Sequence, residues 1–180
     1  MKKKLVSIII NCFNGEKYLS KTLDSILKQK YKKFEVIFID NCSTDSSAEI
    51  FKKIEDKRFK YFKTKKKIKL YASRNFALKK TNGDYIAFLD TDDWWSNNFL
   101  SSRKNFFLSS DEYGFSFSNY LHYYENRKKF EVYLKKKLPS GFILNSLLND
   151  YFIKISTIII KKKLIKSYRF NPYYNIIGDY

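Results

Sequence analysis

Three short apolar runs do most to limit the folds open to this chain: Leu5–Ile10, Phe34–Ile39 and Tyr85–Leu89. Each is too short for a helix and nearly continuous in apolar or β-branched residues. That is the pattern of a strand covered on both faces, as in a parallel sheet. Between the first two runs, from about Glu16 to Lys30, Tyr18, Leu19, Thr22, Leu23, Ile26 and Leu27 recur at helical spacing. Lys17, Lys21, Lys28 and Lys30 lie mostly off that stripe, so it reads as a packing face. A second helix is expected from about Ser46 to Ile54, burying Ile50, Phe51 and Ile54, behind the helix-capping residues Ser43, Thr44 and Asp45. Strand–helix–strand–helix order implies right-handed crossovers. The expected class is therefore α/β, with a mainly parallel central sheet flanked by helices.

In such a sheet the parallel strands all finish at one edge, and open α/β sheets bind ligands there. Three loops would meet at that edge. The first is Asn11-Cys12-Phe13-Asn14-Gly15, the second runs from Asp40 to Asp45, and the third is Asp90-Thr91-Asp92-Asp93. Clustered carboxylates repel and raise one another's pKa unless solvated or shared with a cation. In extended backbone Asp90 and Asp92 fall on one side, and two hard oxygen ligands suit Mg²⁺ or Mn²⁺ that also holds a phosphate. On these residues alone a second reading stands beside the first: a solvated acidic loop capping a helix that begins near Ser96.

Elsewhere the sequence predicts a short strand at Phe59–Phe62, a basic loop over Lys63–Lys69, and a helix from Leu70 to Lys80 with Leu70, Ala72, Phe76 and Ala77 inward. It predicts a helix from Asn97 to Ser109, packing Leu100, Phe106 and Phe107. Phe115–Ser118 reads as a strand, with Phe130–Tyr133 pairing against it. A helix at Phe142–Leu148 and a strand at Ile155–Ile160 follow. Arg74, early on its helix, can meet a phosphate, structure the acidic loop or stay solvated. His122 is the single histidine, which excludes a multi-histidine metal site, and it reads as structural or surface.

With 180 residues, 44% hydrophobic and 19% aromatic, one domain with an ample core is expected. No stretch spans a membrane, and Met1–Leu5 leads into no signal-peptide pattern. Cys12 and Cys42 read as free thiols in a reducing cytosol. The formal charge of +18 has two readings, a lysine-rich coding bias or a surface attracted to phosphates. The runs Lys2–Lys4, Lys65–Lys67, Lys135–Lys137 and Lys161–Lys163 are dispersed, which suits a general field or an anionic membrane face better than a nucleic-acid groove. No nucleic-acid partner is expected. The chain stops on an apolar segment, Ile176-Ile177-Gly178-Asp179-Tyr180, which reads as a truncated protein.

Taken in order, four segments resemble the inverting family 2 glycosyltransferases of the GT-A fold. Val6–Asn14 is similar to the family's first strand and nucleotide loop, and Ile39–Asp45 to its Asp-Asp-Gly-Ser-Thr-Asp segment. Ala72-Ser73-Arg74-Asn75 is similar to its Ala-Arg-Asn helix start, and Gly83–Asp93 to its metal-binding strand and loop. Any one segment is weak, whereas four in order are specific. The resemblance implies a nucleotide-diphospho-sugar transferase fold with a Rossmann-like N-terminal half. Residues 1–95 would hold the nucleotide sugar, and 96–180 would form an acceptor-side half left incomplete at Tyr180.

It also implies roles. Asn11, Phe13, Asp40 and Asn41 would hold the nucleoside, with Asn41 where the family often has a second acid. Arg74 would face the phosphates, Asp90 and Thr91 would lie at the sugar nucleotide, and Asp90 and Asp92 would bind Mg²⁺ or Mn²⁺. Asp93 would cap the following helix, and Asp179 would be the catalytic base. The implied partners are a nucleotide diphosphate sugar donor and a glycan or lipid-linked acceptor. The implied setting is cytoplasmic, peripheral at the inner face of the cell membrane. Three other readings compete: an inactive nucleotide-sugar-binding remnant, a basic nucleic-acid binder, and a sugar-phosphate nucleotidyltransferase. The last would want a glycine-rich loop, where only Gly15 is present.

Overall fold

A computed structural model describes residues 4–108, 113–165 and 168–173. Its centre is a six-stranded sheet. Four strands are parallel: β1 (Val6–Cys12), β2 (Phe34–Asp40), β3 (Phe59–Lys63) and β4 (Tyr85–Phe88). Helix α1 (Glu16–Leu27) joins β1 to β2, α2 (Ser47–Lys52) joins β2 to β3, and α3 (Leu70–Leu78) joins β3 to β4. The spatial order runs β3-β2-β1-β4. The chain thus winds outward from β1 to β3 and then returns to the far side of β1. Neighbouring loops part company between β1 and β4, and that is where such sheets open a crevice.

Alternation along the strands builds a core on each face. Val6, Ile8, Ile10, Val36 and Phe38 pack with Leu19, Leu23, Ile26 and Phe51 of α1 and α2. Ile9, Ile37, Ile39 and Phe88 face Ala77 and Leu78 of α3. On α3 Tyr71, at 1% exposure, turns inward with Ala77 and Leu78, whereas Leu70 is only half-buried. At the amino edge Gly83 leaves no room for a side chain, since a Cβ there would lie 2.6 Å from Ser7 N.

The second half departs from the sequence reading in three places. Asn97–Ser109 is not one helix: a 3₁₀ turn at Ser101–Arg103 leads into α4 (Lys104–Leu108). The cause is Gln29, fully buried at the end of α1. Its Nε2 donates to Ser96 O at 2.7 Å, and its Oε1 accepts from Leu100 N at 3.0 Å, so those backbone groups are engaged outside any helix.

Phe115–Ser118 does not pair with Phe130–Tyr133. Instead β5 (Phe115–Ser116) lies antiparallel to β8 (Ile159–Lys161), which lies antiparallel to β4 and extends the main sheet. A separate hairpin forms from β6 (Leu121–Tyr124) and β7 (Lys129–Val132). The Asn119 side chain clamps its base, donating to Leu134 O and accepting from Leu134 N. Third, Ile155–Thr157 form a 3₁₀ turn, so strand structure begins only at Ile159. The short helix α5 (Leu144–Asn149) agrees with the sequence reading, and α6 (Lys162–Ile165) follows β8. Lys161 is buried in β8 and Lys162 donates to Thr81 O at 2.6 Å, so that lysine run is partly structural. Both cysteines are free. Among the described residues no helix is long and apolar enough to cross a membrane.

Candidate active site

The loops after β1 and β2 are tied to each other before any ligand arrives. Asn14, at a left-handed φ of 52°, accepts from Thr44 N through Oδ1 at 2.9 Å. Asp45 accepts from Glu16 N at 3.0 Å and from Ser47 N at 3.0 Å, so one carboxylate serves the start of α1 and of α2. Asp40, with no exposed surface, accepts from Ser43 N at 2.7 Å and from the Tyr61 hydroxyl at 2.5 Å. Burial, then the Asp40 carboxylate, pushes the Tyr61 phenol well above its ordinary pKa.

The Asn41 amide holds the backbone of the basic loop. Its Nδ2 donates to Ile68 O at 2.7 Å and its Oδ1 accepts from Ile68 N at 2.9 Å. Asn11 donates to the Ser73 hydroxyl at 2.6 Å, linking β1 to α3. Phe13 is exposed at the loop tip, and Lys67 Nζ lies 3.5 Å from its ring centroid.

The acidic loop after β4 is held by its backbone. The Thr22 hydroxyl lies 2.8 Å from the carbonyl oxygens of both Thr91 and Asp93. Asp90 N donates to Ser156 Oγ at 3.2 Å, and Trp95 Nε1 donates to Ser156 O at 2.7 Å. Asp93 N closes a turn onto Asp90 O at 3.1 Å. Fixing the main chain this way leaves Asp92 exposed and the Asp90 side chain 42% exposed.

No α-helix follows at Ser96, so Asp93 does not cap one. Its carboxyl keeps an open surface yet is crowded by the cleft walls. That desolvation pushes its pKa up, a hydrogen bond from Ser156 opposes the rise, and the Asp92 charge adds to it.

Arg74 is only 2% exposed, and its guanidinium lies 3.4 Å from Asp90 Oδ1. It is also enclosed by the rings of Tyr71, Phe88 and Phe170, at 5.5, 5.8 and 5.5 Å. A solvated arginine is therefore excluded. This arginine structures the acidic loop from beneath, by charge.

Beside the loop opens a cleft of about 1290 Å³. Asp90, Asp92 and Asp93 lie along it, with the β6–β7 hairpin opposite, contributing Tyr120, His122 and Tyr133. Tyr120 and Tyr133 stack at 4.5 Å, with His122 5.2 Å from Tyr120. The structure thus gathers Asn11, Phe13, Asp40, Asn41, Asp90, Thr91 and Asp92 at the carboxyl ends of β1, β2 and β4, with Arg74 of α3 reaching Asp90 from beneath. Asp179 lies outside the described residues. Sequence reasoning missed Ser156, Thr22 and Ser25, whose hydroxyl and carbonyl groups hold the acidic loop and Trp95. A threonine and a serine among the apolar positions of α1 were the available signal for two of them.

Among the described residues no group of three or more His, Cys, Asp and Glu could hold a metal by itself. Mg²⁺ needs only one or two carboxylates when phosphate and water complete its shell. Two acids on one loop, open to a cleft and backed by a buried cation, fit a metal that arrives with a diphosphate.

Comparison with known proteins completes the picture. The family model "Glycosyl transferase family 2" matches residues 7–169. An Escherichia coli protein, the UDP-Glc:alpha-D-GlcNAc-diphosphoundecaprenol beta-1,3-glucosyltransferase WfaP, is 36% identical over 94% of this chain and 65% of its own length. The crystal structure of S. aureus TarS 1-349 in complex with UDP-GlcNAc matches with a TM-score of 0.74 and 26% identity, over 90% of this chain and 46% of that one. The mannosyltransferase PcManGT from Pyrobaculum calidifontis, in complex with GDP-Man and Mn²⁺, shares the fold, with a TM-score of 0.71 and 18% identity over 96% of this chain and 49% of that one. The chain thus spans about two thirds of the length of WfaP and about half of those two structures.

Proposed function

The chain belongs to glycosyl transferase family 2 and has the GT-A fold, and from that premise we propose that it transfers a sugar from a nucleotide diphosphate sugar to an acceptor hydroxyl with inversion. The product would be a cell-surface polysaccharide or lipopolysaccharide. One observation carries the reading. The exposed carboxylates of Asp90 and Asp92 stand beside the nucleoside-loop residues at one sheet edge, with Arg74 buried beneath Asp90.

In this reading residues 1–95 hold the donor and 96–180 belong to the acceptor side. Asn11, Phe13, Asp40 and Asn41 shape the nucleoside site. The open face of Phe13 stacks on the base, and Asp40 and Asn41 set the loop walls. Asp90 and Thr91 lie at the sugar nucleotide, and Asp90 and Asp92 hold Mg²⁺ or Mn²⁺. A cation held by Asp90 and Asp92 would supply positive charge against the departing diphosphate. Arg74 orients Asp90 from beneath, and the basic loop at Lys65–Lys67 adds positive potential where the phosphates lie. Asp179 accepts the proton of the acceptor hydroxyl as its oxygen attacks the anomeric carbon from the opposite face. Direct displacement of this kind inverts the centre and needs no covalent enzyme nucleophile.

WfaP carries a diphosphoundecaprenol-linked sugar in its name, which supports a lipid-linked acceptor here. A lipid-linked acceptor in turn supports a cytoplasmic setting, in peripheral contact with the inner face of the membrane. A second reading is donor binding without transfer. One experiment separates the two: hydrolysis of a panel of nucleotide sugars by the parent chain and by Asp92→Ala. Hydrolysis by the parent alone supports the transferase. Equal activity in both removes Asp92 from the metal site. Metal-dependent binding without turnover by the parent supports the second reading.

A further inference from the structure

The helix α5 carries leucines on a face that should be polar. Ile143 and Leu147, four apart, turn inward to a small core with Phe152 and Ile153. Leu144 and Leu148, also four apart, sit on the neighbouring face, 50% and 76% exposed. Phe142, just before the helix, is 90% exposed. The turn at Gly141, at φ +81°, stands clear of the body, with nothing within 4 Å of where its Cβ would be. Solvent-facing helix positions are ordinarily polar, and clustered exposed apolar side chains mark a surface with an apolar partner.

Charge indicates which partner. Lys135, Lys136 and Lys137 are all exposed, and Lys136 Nζ reaches Asp150 Oδ2 at the end of α5, 3.8 Å away. The lysine run therefore lies alongside the apolar tip. Both members of that pair are largely solvated, so it leaves the positive field almost intact. Apolar side chains beside a lysine run are the composition of a surface that lies in a bilayer interface and binds anionic lipid. The tip is also continuous with the cleft. Tyr133, just before it, and Tyr151 to Lys154, just after it, are cleft-lining residues.

We propose that segment 135–148 docks this protein on an anionic bilayer. Phe142, Leu144 and Leu148 enter the boundary between headgroups and acyl chains, and Lys135, Lys136 and Lys137 lie on the headgroups. This rests on the reading of a membrane-borne acceptor, and names the surface that would bring the cleft to it.

The test is co-sedimentation of the full chain with vesicles of phosphatidylcholine alone and with phosphatidylglycerol admixed, at low and high salt. The parent is expected to bind the mixed vesicles and to release partly at high salt. The double variant F142S/L148S should bind about tenfold more weakly or worse. The triple variant K135Q/K136Q/K137Q should lose roughly a hundredfold. A control, K28Q/K30Q/K32Q, removes the same charge beyond α1 at the far edge of the sheet and should lose less than about threefold.

Failure of the parent to bind any vesicle overturns the proposal. So does parent-like binding by F142S/L148S, or an equal loss in the control, since the protein's general charge would then be responsible. A parent dimer that F142S/L148S dissociates, with no vesicle capture, would assign the patch to a second copy instead. Stabilisation by UDP with Mn²⁺, followed on the same samples, reports on the transferase assignment separately. Its retention alongside lost vesicle binding condemns the docking surface alone.

Discussion

Acidic side chains stand at both edges of the same sheet and meet opposite surroundings. At the amino edge Glu35 is buried, and its carboxylate is enclosed by donors. The Ser7 hydroxyl and Asn82 N each approach Oε1 at 2.6 Å, and Lys60 Nζ approaches Oε2 at 2.8 Å. Ser7 Oγ in turn accepts from Gly83 N at 2.8 Å, so this network pins the turn that launches β4. At the carboxyl edge, where β4 ends, Asp92 is exposed and Asp90 has a 3.4 Å contact with Arg74. Structure and chemistry thus separate among the acids of one sheet. A carboxylate whose acceptor sites are filled inside the protein contributes stability. One held by its backbone, with its oxygens left towards a cleft, is available to a ligand.

The contrast breaks most visibly at Glu35. Glu35→Ala leaves the Ser7 and Asn82 donors and Lys60 without their acceptor, and is expected to cost about 3 kcal/mol of unfolding free energy. Urea denaturation checks it. Arg74→Met should cost about 2 kcal/mol, because it leaves Asp90 uncompensated over an apolar pocket. Unlike Glu35→Ala, it should also abolish stabilisation by UDP with Mn²⁺ under conditions where the variant is folded. Gly83→Ala forces a Cβ to within 2.6 Å of Ser7 N. The backbone must shift, at about 1–2 kcal/mol, with nucleotide binding unchanged.

Titration sharpens the same contrast. Burial opposes ionisation of Glu35, but the hydrogen bonds from Lys60, Ser7 and Asn82 outweigh it and hold its pKa below the free value of 4.5. A depressed folded-state pKa means that the unfolded chain takes up the proton first as the pH falls. The contribution of Glu35 is therefore complete above pH 4.5 and lost as the pH falls below it, through the folded pKa. Glu35→Gln should flatten that part of the stability profile, measured as the urea midpoint against pH. The smallest effect is expected at Asp92, where replacement by Ala should change stability by less than about 0.5 kcal/mol.

The same division explains what could be read from the sequence. The strands β1 to β4 and the helices α1 to α3 were legible because each is a local apolar run or a 3.6-residue period on a covered core. Their loops inherit a common edge from right-handed crossovers. The hairpin β6–β7 was not legible, because the Asn119 clamp and the β5–β8 pairing are long-range choices with no local period. The break after Asn97 depends on Gln29, far away in the chain, and the support of the acidic loop depends on Ser156. At the site, the spacing of Asp90 and Asp92 announced two acids on one loop after a buried strand. The burial of Arg74 could not, because three aromatic rings from separate elements create it. Glu35 did leave a signal, a lone acid inside an otherwise apolar strand, which requires a buried partner.

The central claim is that Asp90 and Asp92, in the loop after β4, serve a cation-bound nucleotide rather than the fold. Thermal unfolding of the parent chain and of Asp92→Ala, each with UDP alone, Mn²⁺ alone and both together, tests it most directly. The account predicts equal melting temperatures for the two unliganded chains, with a rise on adding UDP and Mn²⁺ together in the parent only. An equal rise in both chains, or none in the parent, would contradict it.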